Sequence, residues 1–514
     1  MVSTILSATA FGTAAKIVEV EATCTRGLPN FSITGLANSS IQESKHRVQS
    51  ALSNNNITLP PLKININLSP SDLPKNGGHF DLPIALALQS ASHAPKDNPT
   101  KENLWFAFGE LGLDGSVKHL DSIYPLLLDV ALLSPQAKVI VPRAKRELLS
   151  LIPNLRFYFV DTLPEAIALI NALGVESEPD SESSTSPSSL GFASIEVEGS
   201  EYFYHNEFAL DFSEVRGQPL AKRAALIAAA GFHNLIMEGS PGCGKSMIAK
   251  RLVYILPPSS LKEMIENVKH QALNKQDTHY TPLRPFRSPH QSASKSSILG
   301  SATQYEVKPG EVALAHNGIL FFDELPHFKK DVLESLREPL ENNKLAISRV
   351  HSKLEYETNF LFIAAQNPCP CGNLLSRTKE CRCQDREISL YRSRLSEPLL
   401  DRIDLFVQMS EEAQEGEELD SKAMQKRVFE AFRMQKSRAQ PMLNGKLDER
   451  GIEEFCALDE GCQSLLAQAS ERFALSYRAQ NKIKKLSRTI ADLEGAQRIG
   501  KAHILEALSF RKIN

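Results

Sequence analysis

At 514 residues, 42% hydrophobic and 23% charged, the chain exceeds what one hydrophobic core serves, so about two to four domains are expected. A net charge of -3 excludes a protein coated in basic surface, though not one that confines its cations to a central pore. The apolar runs are too short to span a membrane, and eight cysteines without a basic, apolar leader predict reduced thiols or a metal site in a cytoplasmic protein.

Residues 1–175 read as a mixed α/β domain. Strand-like runs occur at Lys16–Val20, Phe31–Thr34 and Ile64–Leu68, with helical spacing over Ser40–Leu52 and Leu82–Ala91. The acid-, Ser- and Pro-rich stretch Glu176–Ser189 marks a solvated linker, drawn over 176–200.

From 201 to 410 buried strands alternate with helices, which predicts a parallel α/β sheet. A strand at Asn234–Glu238 runs into Gly239-Ser-Pro-Gly-Cys-Gly-Lys-Ser246, which fits the phosphate-loop pattern G-x-x-x-x-G-K-[ST]. Such glycines let successive N–H groups face phosphate, and a helix predicted over Met247–Leu256 points its positive end the same way. Lys245 would reach the outer phosphates of ATP and Ser246 would ligate Mg²⁺. Gly239, Ser240, Pro241, Gly242, Cys243 and Gly244 complete the ATP-binding loop.

The apolar run Gly318–Phe322 ends in Asp323 and Glu324. Asp323 suits holding Mg²⁺, and Glu324 suits orienting and deprotonating the attacking water. The alternating stretch Leu345–Tyr356 predicts a hairpin whose Arg349 and Lys353 would grip a DNA backbone. Asn367 ends another buried strand and would hold the lytic water. Cys369, Cys371, Cys381 and Cys383, spaced C-x-C, nine residues, C-x-C, are either a tetrahedral zinc site or a group of reduced thiols. Arg402 punctuates the segment Leu399–Val407 and either reaches a neighbouring subunit's nucleotide or pairs locally with Asp401 or Asp404. Residues 411–514 open on an acidic stretch and then show helical spacing over Ser421–Lys436, Glu460–Leu475, Ala479–Leu493 and Lys501–Phe510, a small helical lid that carries Arg478.

Several longer strings are more specific: Phe286-Arg-Ser-Pro-His290, Pro309–Gly318, Asn367-Pro-Cys-Pro-Cys-Gly372, Leu399–Asp404 and Arg488–Glu494. On these the chain resembles the YifB/ComM family of magnesium-chelatase-like AAA+ proteins over essentially its full length. The resemblance implies an AAA+ parallel α/β core with a helical lid, Asn367 as first sensor, Arg402 as arginine finger and Arg478 as second sensor. It places Gln218, in Asp211–Gln218, beside the adenine. It also implies a homohexameric, ATP-driven helicase acting on single-stranded or branched DNA and promoting branch migration during recombination in natural transformation. A magnesium-chelatase-like chaperone subunit and a protein remodeller are the rival readings. The N-terminal domain resembles the proteolytic domain of Lon, with His79 in Leu73–Asp81 where Lon has its serine and Tyr124 where it has its lysine. A Ser–Lys dyad needs a hydroxyl nucleophile and an amine base, so a non-proteolytic platform is expected.

Overall fold

The computed structural model describes residues 2–11, 14–93, 105–171, 191–302, 307–349, 352–410 and 419–511. The stretch Glu176–Ser189 and residues 411–418 lie outside them.

The N-terminal part is built on β1 (Val2–Phe11), β2 (Ala14–Thr25), β3 (Asn30–Thr34), β4 (Lys63–Ser69) and β5 (Phe106–Ala107). A short hairpin of β6 (Glu110–Leu111) and β7 (Val117–Lys118) comes next, then β8 (Ala137–Pro142) and β9 (Leu155–Val160). The sheet order is β3-β4-β2-β1-β5-β8-β9. Strands β1, β2 and β4 pair antiparallel, and β5, β8 and β9 extend the sheet in parallel. Helix Asp81–His93 lacks a polar face along Asp81–Leu88 and is buried there, packing against β1, β2 and helix Ser39–Asn54. At its start Asp81 takes a bidentate pair from Arg47 at 2.6 and 3.0 Å.

The N-terminal part shares a hydrophobic core with residues beyond the linker. Tyr124, Leu127 and Val130 cluster with Phe203, Met264, Val268, Ala272 and Tyr280. Polar ties reinforce the seam: Tyr124 to Tyr280 at 2.5 Å, Thr278 to Asp121 at 2.9 Å and Lys269 to Asp129 at 3.1 Å. Burial pushes both phenols up, so each keeps its proton. Tyr124→Phe would leave the Tyr280 hydroxyl buried and unpaired, at a cost of about 1–3 kcal/mol. The expected result is a lowered thermal midpoint that the double variant with Tyr280→Phe largely recovers. A double variant no more stable than the single one would show that the hydroxyl pair does not join the two parts.

The linker drawn over 176–200 is corrected at its end. β10 (Ala193–Val197) pairs antiparallel with β11 (Ser200–Tyr204). Val197 and Phe203 are buried there, and two inward side chains outweigh the local polarity.

The second sheet comprises β12 (Leu235–Glu238), β14 (Phe286–Arg287), β17 (Ile319–Phe322), β20 (Leu361–Gln366) and β21 (Leu405–Gln408). Between these in sequence lie β13 (Ser259–Ser260), which pairs with β11, the pair β15 (Gly300–Ala302) and β16 (Val307–Pro309), and the hairpin β18 (Lys344–Arg349) and β19 (Ser352–Glu357). The order is β14-β17-β20-β12-β21, all parallel. Continuous apolar strands are what a sheet covered on both faces requires. The C-terminal helices Ser421–Ser437, Glu449–Phe455, Glu460–Phe473, Tyr477–Leu493 and Lys501–Ser509 pack into the same core as one of those faces. Glu449–Phe455 is too short for its periodicity to stand out in the sequence. Among the described residues no helix is long and apolar enough to cross a membrane.

Candidate functional site

In an open parallel sheet, ligands bind beyond the carboxyl ends of the strands. That edge is where β12 runs into Gly239–Ser246, β17 into Asp323 and β20 into Asn367. Gly242 and Gly244 hold φ of 86° and 97°, the left-handed region that side chains disfavour. Helix Lys245–Arg251 starts at once and tightens into a 3₁₀ turn through Ile255.

Lys245 is buried, and its amine donates to the carbonyls of Gly239 at 2.6 Å and Ser240 at 2.9 Å and to Asn367 Oδ1 at 3.2 Å. The last bond puts the loop lysine and the expected sensor in one site. Ser246 Oγ donates to Asp323 Oδ2 at 2.8 Å. Gln366 Nε2 donates to Glu238 at 2.7 Å, tying the ends of β20 and β12 beneath the loop.

The residues fit a nucleotide and its magnesium. Space above Gly242 is open, and Ser240 Oγ is buried without a hydrogen-bond partner. A hydroxyl beside a carboxylate oxygen is the hard, anionic donor pair that Mg²⁺ takes. Glu324 is exposed beside Asp323, in the left-handed conformation at φ 54°, and its amide donates to Asp323 Oδ1 at 3.1 Å.

Gln218 sits at the start of helix Pro219–Gly231 and donates to the Ser410 carbonyl. Arg251 joins the helix after the loop to the Asp211–Gln218 segment, bonding the Asp211 carbonyl at 2.7 Å and the Glu214 carboxylate. Arg349 and Lys353 stand on facing strands of the β18–β19 hairpin, with backbone pairs Arg349–Ser352 and Ser348–Lys353. Their side chains, and all of Val350 and His351, lie outside the described residues. The four cysteines come together: Cys369 and Cys371 Sγ are 3.4 Å apart, and each lies 3.7 Å from Cys381. Cys383 joins them within 4.8 Å. Backbone N–H groups of Asn373 and Arg382 hold the Cys371 thiol down to about 6.

Arg402 and Arg478 stand elsewhere. Leu235 pairs with Leu405 and Glu238 with Gln408, so Arg402, ahead of β21, lies at the amino ends of the strands. The phosphate loop lies at the other ends. Four strand residues separate the two by about 13 Å or more. Arg402 donates to the Arg337 carbonyl at 3.1 Å and pairs with Glu341, not with Asp401 or Asp404. Arg478 joins the same Glu341 carboxylate at 2.8 Å. Glu341, on helix Arg337–Asn342, had no signal in the sequence. Asp404 instead accepts the Asn234 amide at 2.9 Å and faces buried His233 at 3.8 Å.

In the N-terminal part His79 is buried, with Nε2 2.9 Å from the Ala8 carbonyl and its ring against Phe80 and Phe108. Burial pushes its imidazole down to about 4, so the ring is neutral at pH 7. Tyr124 points across the seam to Tyr280, not towards His79.

Three family models match in order along the chain. These are subunit ChlI of Mg-chelatase over residues 20–145, magnesium chelatase subunit ChlI over 211–417 and its C-terminal part over 418–511. Competence protein ComM of Haemophilus influenzae is 36% identical, across 99% of this chain and 97% of its own. The uncharacterized YifB proteins of Salmonella typhimurium and Escherichia coli are 35% and 34% identical, each across 98% of this chain and 96% of their own. With its phosphate loop, paired carboxylates and parallel sheet, the chain belongs to the YifB/ComM family of magnesium-chelatase-like AAA+ ATPases.

Proposed function

We propose that the chain is one subunit of a homohexameric, ATP-driven DNA motor, a helicase that promotes branch migration of recombining strands in natural transformation. The observation that carries the nucleotide half is the convergence of Lys245, Ser246, Asp323 and Asn367 at one edge of the sheet. The separation of Arg402 from that edge supports a ring. An arginine held away from its own chain's phosphate loop suits completing a neighbour's site.

ATP and Mg²⁺ are the cofactors in this reading. Lys245 neutralises the outer phosphates, Ser246 and Asp323 hold the metal, and Asn367 and Glu324 place and deprotonate water. The bound metal would spread the charge that develops on the transferred phosphoryl group. Gln218 lines the adenine end. The competence name of the Haemophilus influenzae relative supports DNA as the substrate. So does the β18–β19 hairpin, placed in sequence between the carboxylate pair and the sensor strand, where a pore-facing element would move with hydrolysis.

ATPase rate with and without single-stranded DNA tests this reading. Stimulation by DNA is expected. Stimulation by unfolded protein alone would select the remodeller, and indifference to both would favour a chaperone subunit of magnesium-chelatase type. Replacing Arg349 and Lys353 with Ala should weaken DNA binding and flatten its dependence of log K on log salt by about 1.4 for two lost phosphate contacts on single strands. An unchanged salt slope would remove the hairpin from the DNA path.

A further inference from the structure

We propose that Cys369, Cys371, Cys381 and Cys383 bind one zinc ion, and that this ion fixes the loop that presses on the phosphate loop and Asn367. The first half stands on the thiols alone. The second rests on the nucleotide reading above.

Residues 367–384, between β20 and helix Asp385–Arg392, hold no helix or strand. Segments this long without regular structure are uncommon in a compact domain unless they do something specific. This one folds back so that two Cys-x-Cys corners meet. All four are free cysteines, and the Sγ separations of 3.4 to 3.7 Å among Cys369, Cys371 and Cys381 far exceed the roughly 2.05 Å of a disulfide. These three separations match the ~3.8 Å edges of a sulfur tetrahedron built on Zn–S bonds of ~2.3 Å, and Cys383 lies within 4.8 Å of the other three. Thiols are weak hydrogen-bond partners, so four would not gather for one another's sake. An all-sulfur, tetrahedral donor set selects zinc over the hard cations. Each thiol gives up its proton as the metal enters.

The knot is also in contact with the chemistry. Asn367 lies two residues before Cys369 in the chain. Gly372, at φ 81°, closes the first corner, its amide donating to the Cys369 carbonyl at 3.0 Å. A Cβ there would sit 2.6 Å from Pro241 Cδ and 3.8 Å from Asn367 Cγ. The backbone of this corner therefore packs directly on the phosphate loop, and a slack knot would release both Pro241 and the sensor amide.

The test uses the full-length chain purified under reducing conditions. Elemental analysis should find about one zinc per chain. Chelation should expose the loop to trypsin at Arg377, Lys379 and Arg382, and added zinc alone should restore protection. The double variant Cys371→Ser, Cys381→Ser should lose at least nine-tenths of the zinc and at least tenfold in ATP turnover. Cys383→His, which keeps a zinc ligand, should retain most of both. Wild-type protein with less than about a fifth of an equivalent of zinc and four freely titrating thiols would overturn the site. So would stoichiometric iron in place of zinc. A zinc-free chain that turns over ATP at the wild-type rate would overturn the coupling. A zinc-loaded wild type that binds no nucleotide would leave the knot standing and remove the ATPase reading instead.

Discussion

Arg402→Ala is expected to lower ATP turnover by ~10³-fold or more, the scale on which an arginine supplied to a phosphoryl-transfer site acts, while each chain still binds nucleotide. The reason is geometric. Arg402 precedes β21 and Lys245 follows β12, and these neighbours run parallel in register, so the two side chains occupy opposite edges of one sheet. Within one chain Arg402 is held by Glu341 and the Arg337 carbonyl, away from Lys245. The proposed ring would bring the amino edge of one sheet against the carboxyl edge of the next.

Mixing separates this from a local role. Lys245→Ala and Arg402→Ala chains are each inactive alone, yet a mixed ring contains interfaces with Lys245 from one chain and Arg402 from the other. About a quarter of interfaces regain both groups if chains mix at random, and ATPase activity should return in that proportion. If mixed rings form and stay silent, or if isolated protomers hydrolyse ATP fully without Arg402, the shared-site reading fails. Glu341 supplies a second control, because it holds both Arg402 and Arg478. Arg478 therefore lies beside Arg402, and if that edge faces a neighbour in the proposed ring, Arg478→Ala should fail in the same mixing partners as Arg402→Ala.

The legible part of the site was the part whose chemistry demands adjacent residues. A phosphate loop needs left-handed glycines directly before a lysine and a hydroxyl, and all of these lie within Gly239–Ser246. A metal carboxylate at a strand end needs an apolar run before it, which Gly318–Phe322 supplies. The sheet was legible for the same reason, since strands buried on both faces read as continuous apolar runs. The hidden part depends on partners far away in the chain. The Arg402–Glu341 pair spans 61 residues and the Tyr124–Tyr280 bond spans 156. Neither leaves a local period. Tyr124 shows the limit of reasoning from resemblance: the missing lysine was visible, but the tie that its replacement makes across the domain seam was not. β10 was hidden by polar neighbours, because only packing reveals that Val197 and Phe203 point inward.

Glu324→Gln is expected to slow hydrolysis by about 10²- to 10⁴-fold, the usual contribution of a positioned general base, with nucleotide still bound. The carboxylate follows β17 directly, and Asp323 beside it is already tied to Ser246. The two adjacent acids thus differ: Asp323 accepts the Ser246 hydroxyl, while Glu324 is exposed. The backbone of Glu324 is left-handed. Its φ of 54° is a conformation that glycine adopts freely and that costs other residues about 1–3 kcal/mol. Twelve other described non-glycine residues share that region, so it is the strain together with the place of Glu324 at the end of β17, beside Asp323, that points to a chemical task. Two variants separate chemistry from architecture. Gln keeps size and strain but cannot take a proton, so it should hold bound ATP and slow turnover by that factor. Gly should slow turnover at least as much, yet raise the thermal midpoint or leave it unchanged because the strain is gone. Turnover within threefold of wild type in Glu324→Gln would assign the base elsewhere, and a large loss of stability in Glu324→Gly would mean that the residue is there to hold the fold.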